Sequence, residues 1–440
     1  VSQWFGTDGV RGKANEDLTP ELVLALARAT VSCLAPDGGR VIIGRDTRVS
    51  GTMLEGALAA GFAACGVDVL LAGVIPTPAI SFLIEDEHAE LGAVISASHN
   101  PPEDNGIKFF DHCGQKLTVE AERSIEERLG EPARPGPVGR VVPLEAAATR
   151  YAAFLTGTIE IDDVDLSAHT IVVDCAYGAT GAIAPRVLRH FNANVIELHT
   201  CPDGDRINQE CGSTHLDPLR EAVREHSADL GVAFDGDGDR VMLVTASGKT
   251  IDGDRMMGIF ARELEAKGRL APKVLVATVM SNLGLERMLT EMGIRMIRTP
   301  VGDRNVAQEM VRLGAKVGGE QSGHIILSDH SPTGDGILTT VKLLEIAHER
   351  GTDLSALAEE VPLFPQVREN VPIQNPAQTL QAIPLDELIA AAQRQLGEGG
   401  RVLVRPSGTQ PLVRVMVEGE DDALCREVCT ELVEAIKARL

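Results

Sequence analysis

The chain is poor in aromatic side chains: one Trp, two Tyr and ten Phe make up only 3% of its 440 residues. That scarcity argues against a base-stacking platform for single-stranded nucleic acid and against an aromatic sugar groove. Positive charge is also short. With 41 Lys and Arg against 64 Asp and Glu the formal net charge is −23, which disfavours nucleic acid and anionic membrane as partners. No stretch approaches the roughly 18 uninterrupted apolar residues of a spanning helix, and the amino terminus lacks a basic segment followed by an apolar core. The eight cysteines form no CxxC pair, and Cys425 and Cys429 stand four apart in an apparent helix. Neither a zinc ribbon nor a disulfide framework is therefore expected. These absences predict a soluble, unexported protein of a reducing, cytoplasmic compartment. They leave room for a small phosphorylated substrate, because screening beyond about 8 Å lets a local Arg/Lys cluster bind phosphate inside an acidic protein.

What is present is a recurrence of short apolar runs, most ending in Gly, Asp or Ser: Val41–Gly44, Ala93–Ser96, Ile171–Asp174 and Val274–Ala277. Between them lie helix-like segments such as Glu21 to Leu34, where Leu22, Leu26, Ala29 and Cys33 recur at helical spacing behind Thr19 and Pro20. Alternating strands and helices predict mixed α/β layers. By size alone, at about 150 residues per domain, the chain has room for roughly three domains. A Pro/Gly-rich connector, Gly130 to Pro137, precedes a first boundary near 150. A hairpin before Asp254 sets a second near 252, and Pro362 to Pro365 sets a third. The expected segments are 1–150, 151–251, 252–365 and 366–440.

The densest chemical signal is Phe234-Asp235-Gly236-Asp237-Gly238-Asp239-Arg240. Three carboxylates spaced two apart repel unless a cation sits among them, and the apolar run Leu230–Phe234 reads as a buried strand delivering them to its carboxyl end. Asp-Gly pairs also form ordinary solvated turns. An EF-hand loop from Asp235 would need Gly and Glu where Arg240 and Ala246 stand, and a Walker A loop ending at Thr250 would need a glycine where Leu243 stands.

Four further segments carry chemistry. Ser96-Ala97-Ser98-His99-Asn100-Pro101-Pro102 follows a buried strand and leads through Asp104-Asn105-Gly106 to Ile107-Lys108-Phe109-Phe110, a strand, turn and strand. Ser98 is a candidate nucleophile without a GxSxG elbow, and a plain turn serine reads equally well from the local sequence. Arg405-Pro406-Ser407-Gly408-Thr409 with Arg414 combines two guanidiniums, two hydroxyls and a glycine, a set suited to a phosphate dianion, although a hairpin turn with surface arginines has the same letters. Gly318-Gly319-Glu320-Gln321-Ser322-Gly323-His324 exposes a carboxylate and a hydroxyl suited to sugar hydroxyls, or is a tight turn. Phe5-Gly6-Thr7-Asp8-Gly9-Val10-Arg11-Gly12 frames one more arginine with glycines.

In this order the five segments resemble the α-D-phosphohexomutase superfamily through essentially the whole chain, and FGTDGVRG, ISASHNP and GEQSGH resemble its bacterial phosphoglucosamine mutase family most. The resemblance implies four domains around a central cleft: three related α/β domains and a smaller carboxyl-terminal α+β domain. It implies interconversion of glucosamine 6-phosphate and glucosamine 1-phosphate for UDP-N-acetylglucosamine synthesis, by way of a phosphoserine at Ser98 and a sugar bisphosphate. Mg²⁺ would be held by Asp235, Asp237, Asp239 and a phosphate oxygen on Ser98. Lys108, the preferred acid/base, would stand at the reaction with Arg11 and His99. Glu320, Ser322, His324 and Arg304 would face the sugar phosphate, Arg405, Ser407, Gly408, Thr409 and Arg414 would clamp the distant phosphate, and Arg240 would add a supporting cation. Two positions depart from the pattern: Gln410 replaces the usual glutamate of the phosphate loop, and Tyr177 the usual asparagine of the DCANGA-like segment. Competing readings are a phosphomannomutase or phosphoglucomutase, a phosphosugar phosphatase using the DxD run, and a noncatalytic phosphosugar sensor.

Overall fold

A computed structural model describes residues 4–6, 8–131, 137–161, 164–406 and 411–438. The backbone gathers into two units, residues 1–280 with 296–360 and residues 281–295 with 361–440.

The first unit carries three sheets. The largest has seven strands in the order Phe5–Gly6, Gly9–Lys13, Asp104–Phe110, Leu91–Ile95, Gly39–Arg45, Val67–Val74, Val141–Pro143. Its central strands are parallel, and Leu91–Ile95 then turns back into the antiparallel Asp104–Phe110 with Val94 opposite Lys108. The second sheet has five strands. Leu230–Phe234 runs parallel to Thr170–Asp174 and turns into the antiparallel Val241–Thr245. In the four-stranded third sheet, Val317–Gly319 lies parallel to Val274–Thr278 and turns into the antiparallel Ile325–Leu327. One device thus recurs: a buried strand ends, a loop carries polar side chains, and an antiparallel strand returns.

The local chemistry explains these elements. Leu91–Ile95 and Leu230–Phe234 are buried at every position, the pattern of a strand covered on both faces. The helix Pro20–Leu34 begins where Thr19 Oγ1 accepts a bond from the Leu22 amide at 3.3 Å, with proline in the first turn, where its missing N–H costs nothing. Its inward face (Val23, Leu26, Ala27, Val31) joins Leu54, Leu58 and Phe62 in the first core.

The second unit holds a three-stranded antiparallel sheet, Gln366–Pro372, Leu412–Gly419 and Gly400–Pro406, with Leu412–Gly419 in the middle. The helix Asp422–Lys437 packs Cys425, Cys429, Leu432 and Ile436 against Val413, Val415 and Val417. All eight cysteines are free. No helix among the described residues is long and apolar enough to cross a membrane.

Candidate active site

Ser98 lies in the turn three residues past Leu91–Ile95, 1% exposed and at φ +52°, a left-handed conformation that few non-glycine residues hold without support. The support is dense. The Ser98 amide donates to Ser96 Oγ at 2.8 Å, and Ser96 Oγ donates to Asp46 Oδ2 at 2.7 Å. The fully buried Arg48 pairs with Asp46 at 2.9 Å and donates to the carbonyls of Ser98 (3.1 Å), Asn100 (2.8 Å), Pro101 and Asp104 (2.9 Å). Asn208, arriving from the second sheet's loops, donates to the Ser98 carbonyl at 2.8 Å.

The Asp235–Asp239 loop lies directly against this serine. Ser98 Oγ donates to Asp235 Oδ2 at 2.6 Å. Such closeness depends on Gly236: a Cβ there would lie 2.9 Å from the Ser98 carbonyl oxygen and 2.8 Å from Asn208 Nδ2. Thr77 fixes the middle carboxylate, its amide donating to the Asp237 carbonyl at 2.8 Å and its hydroxyl to Asp237 Oδ2 at 2.7 Å.

Asp235, Asp237 and Asp239 bring their oxygens within 4.8 Å of one another, all buried. Asp237 Oδ1 and Asp239 Oδ1 have no hydrogen-bond partner among the described residues. Burial, and the charges of Asp239 and Asp237, push the Asp235 carboxyl well above the usual range. Crowded, all-oxygen and with two oxygens unpartnered, the set fits a hard divalent cation. Another buried trio, Asp239, Asp303 and His324, does not: the Gly334 amide donates to His324 Nε2 at 3.2 Å, so a neutral ring keeps its proton on Nδ1, 3.7 Å from Asp239, with no lone pair for a metal.

Cations surround the carboxylates. Lys108 Nζ lies 2.9 Å from Asp237 Oδ2, 3.4 Å from Asp239 Oδ2 and 3.0 Å from Asp8 Oδ2. Burial alone would lower its pKa, but Asp237, Asp8 and Asp239 hold it well above the ordinary value. Lys108 therefore enters the site as an ammonium. Arg11 pairs with Asp8 at 2.5 Å and donates to Asn100 Oδ1 at 3.3 Å. His99 Nδ1 stands 3.3 Å from Ser98 Oγ, and burial, helped by Arg240 and Arg11, pushes that imidazole down to about 4. It is neutral at pH 7, a hydrogen-bonding group rather than a charge.

On the third sheet's loop, the buried Glu320 accepts from the Gly302 amide at 3.1 Å and lies 4.0 Å from Arg240, which in turn lies 3.8 Å from Asp239. Ser322 is exposed on the same loop. Arg304, expected to face the substrate, gives both terminal nitrogens to Glu122, one at 2.7 Å. In the second unit Arg405 and Arg414 stand directly opposite one another on paired strands. Burial and the Arg414 charge lower the Arg405 pKa, and Arg405 Nε is buried without a hydrogen-bond partner among the described residues. Ser407, Gly408, Thr409 and Gln410 lie outside the described residues.

Tyr177, the departure in the second sheet's loop, holds φ +55°. Its ring lies 4.7 Å from that of His199 and its face receives the Arg206 guanidinium at 4.3 Å, contacts that an asparagine would lack. Its carbonyl accepts from Thr47 Oγ1 at 2.7 Å, so the loop keeps its grip on the segment leading to Arg48. Sequence reasoning passed over Arg48, Thr77, Lys116, Asn208 and Asp303, and quoted Asp8 only as part of a motif. Asp8 had a signal, its place between two glycines beside a candidate arginine. The importance of the others lies in what the fold brings to them.

The phosphoglucomutase/phosphomannomutase family description matches the chain in four stretches: alpha/beta/alpha domain I over residues 2–134, domain II over 149–248, domain III over 252–364 and the C-terminal domain over 366–435. The chain is 49% identical to the phosphoglucosamine mutase of Carboxydothermus hydrogenoformans, over 99% of this chain and 100% of that one. Among solved structures, a phosphoglucomutase/phosphomannomutase family protein from Burkholderia thailandensis superposes with a TM-score of 0.84 at 27% identity, covering 100% of this chain and 98% of that one. The N-acetylphosphoglucosamine mutase of Aspergillus fumigatus, solved with GlcNAc-6P and magnesium, shares the fold with a TM-score of 0.68 at 18% identity, over 99% and 96% of the two chains.

Proposed function

The chain belongs to the phosphoglucomutase/phosphomannomutase family, in its phosphoglucosamine mutase branch, and from that premise we propose that it interconverts glucosamine 6-phosphate and glucosamine 1-phosphate through a phosphorylated Ser98. The observation that carries this reading is the 2.6 Å contact between Ser98 Oγ and Asp235. It sets a buried hydroxyl against a carboxylate trio suited to a divalent cation.

In this reading Asp235, Asp237 and Asp239, with a phosphate oxygen on Ser98, hold Mg²⁺. When bound, the ion offsets the charge of the phosphoryl group, which carries up to about two negative charges. The chain's own groups do the rest. Lys108 and Arg11 present positive charge where the phosphoryl group moves, and Lys108 has a proton to hold or release at the sugar hydroxyl. His99 offers a neutral ring nitrogen to the Ser98 oxygen. Glu320 and Ser322 take sugar hydroxyls, and the His324 Nδ1 proton adds a donor beside them. Arg405 and Arg414, with Ser407, Gly408 and Thr409, grip the phosphate that is not reacting. A grip common to both ends of the sugar lets one serine serve two hydroxyls, as the bisphosphate intermediate turns over. The eight free cysteines fit a reducing cytoplasm.

The test is a coupled assay for glucosamine 1-phosphate formation with magnesium and a sugar bisphosphate, run in parallel on mannose and glucose phosphates. Glucosamine phosphate is expected to have the highest kcat/KM. Equal or higher efficiency with either other sugar would overturn the substrate, stoichiometric release of inorganic phosphate would mark a phosphatase, and binding without turnover a sensor.

A further inference from the structure

One buried cation lies between the reacting serine's surroundings and the sugar loop without belonging to either. Lys116 Nζ bonds Asp8 Oδ1 at 2.6 Å and pairs on its other side with Asp303 Oδ2. Lys116 and Asp303 side chains are each only 7% exposed. Asp8 leads inward to Arg11 at 2.5 Å and to Lys108 at 3.0 Å, and Lys108 to Asp237 at 2.9 Å. Asp303 leads outward: it opens the helix Asp303–Leu313, next to Gly302, whose amide holds Glu320 Oε1 at 3.1 Å. Its neighbour Arg304 is gripped by Glu122 on the helix Val119–Glu127, just beyond Lys116 in sequence. The first sheet's chain therefore takes hold of the 302–304 turn twice.

We propose that Lys116 is a positioning residue that sets the distance between the sugar-holding loop and the Ser98 pocket by binding Asp303 of one and Asp8 of the other. The proposal rests on the mutase reading above.

Stability alone does not explain such a contact. Burying a lysine with two carboxylates removes three charges from water, a cost that pairing repays only in part, and apolar replacements of buried ion pairs are often neutral or stabilising. The geometry has a clear use in a mutase. The sugar is presented to the same serine by either end, and misplacement of about 1 Å is enough to lose much of the rate. A single ammonium shared by the two loops fixes their spacing whichever end is presented. Without it Asp8 and Asp303 face each other as like charges, and Asp8 loses one of the three cations that orient it toward Lys108 and Arg11. Lys116 itself donates no proton to substrate in this scheme; it acts through Asp8 and Asp303.

The experiment compares Lys116→Met, Asp303→Asn and the double variant in the full-length enzyme, with steady-state kinetics on glucosamine 6-phosphate in the presence of magnesium and sugar bisphosphate, and thermal melting as the check on folding. Each single variant is expected to lose about 10- to 100-fold in kcat while KM moves by less than about threefold. The double variant should be no worse than the poorer single, because the two residues act as one unit. A kcat within about twofold of wild type in either folded variant overturns the proposal, as does a loss carried by KM alone or losses that multiply in the double variant. Should Lys116→Met fail to fold, the nearly isosteric Asp303→Asn decides by the same kcat and KM criteria. A wild-type enzyme that interconverts no hexose phosphate would overturn the mutase reading instead, so the two failures are told apart.

Discussion

The Ser98 pocket and the Arg405/Arg414 strand pair treat charge in opposite ways. In the pocket most carboxylates have been given cations by the chain itself: Lys108 between Asp237, Asp239 and Asp8, Lys116 between Asp8 and Asp303, Arg240 between Asp239 and Glu320. On the strands two guanidiniums stand cross-strand as like charges, a placement that costs folding energy. The pocket's charges are fixed before substrate arrives, and its Asp235 trio is a crowded set suited to a divalent cation. In the reading proposed above the strand pair serves capture, because two like charges set side by side can both meet one anion. The first arrangement should respond to mutation in kcat and the second in KM.

The largest effect should come from Ser98→Ala. With the reacting oxygen gone, turnover is expected to fall by at least about 10⁴-fold while sugar phosphate binding stays measurable by calorimetry. Near-native turnover would remove the pocket's claim to the chemistry. Metal removal probes the same side: chelation should abolish activity and Mg²⁺ restore it. Asp235→Asn should also be inactive, yet melt at the same temperature as wild type or higher when both are metal-free, because it relieves the crowding that pushes the Asp235 carboxyl upward. A lower melting point would show that the trio is not electrostatically crowded.

Next in size is Gly236→Ala. The added methyl meets the Ser98 carbonyl, Ile207 and Asn208 at 2.8 to 2.9 Å, so the two loops must part. A loss of about 1–3 kcal/mol in stability is expected, with kcat down about 100-fold and KM less affected. Wild-type kcat would mean that the close approach of the loops is incidental.

Much of this was readable before any coordinates. The apolar runs at 41–44, 93–96, 171–174 and 274–277 fall in or at the ends of strands, because a strand covered on both faces writes itself as consecutive apolar residues. The Asp235 loop and the Ser98 turn were readable because their polar residues are contiguous and follow such strands. Arg48 could not be read that way. Its carbonyl partners lie about fifty residues on, and nothing near it in sequence marks it as the group that holds Ser98 at a positive φ. Asn208 and Lys116 share that character, their partners coming from other segments. Arg304 shows the converse: the family resemblance put it at the substrate, and the fold supplied Glu122, a partner that local sequence does not announce.

On the strand pair the expected effect is smaller and of a different kind. Arg405→Ala should raise KM for the sugar phosphate about tenfold, equivalent to about 1.4 kcal/mol, with kcat within about threefold of wild type. The relieved repulsion with Arg414 should leave stability unchanged within about 0.5 kcal/mol, or slightly improved. A loss in kcat as large as that of Gly236→Ala would erase the contrast between capture and chemistry.

The smallest effect concerns Glu122, where the chain has supplied a buried carboxylate with a buried cation. Burial raises the Glu122 carboxyl from its ordinary 4.5 to about 7, and Arg304 offsets only part of that cost. The sign follows directly. Between pH 4.5 and about 7 the folded protein binds a proton that the unfolded chain has released, so this group's contribution to stability is complete below 4.5 and is lost as pH rises through about 7. Urea melts across that window should therefore show, beneath the contributions of other groups, a decline of at most about 1.4 kcal/mol per pH unit, the slope of one proton. Glu122→Gln keeps the shape of the side chain but cannot titrate, and its stability profile should be flatter than wild type by that difference. Identical profiles would mean that Arg304 keeps Glu122 ionised throughout. The Glu122–Arg304 pair would then be an ion pair that pH does not touch across this window.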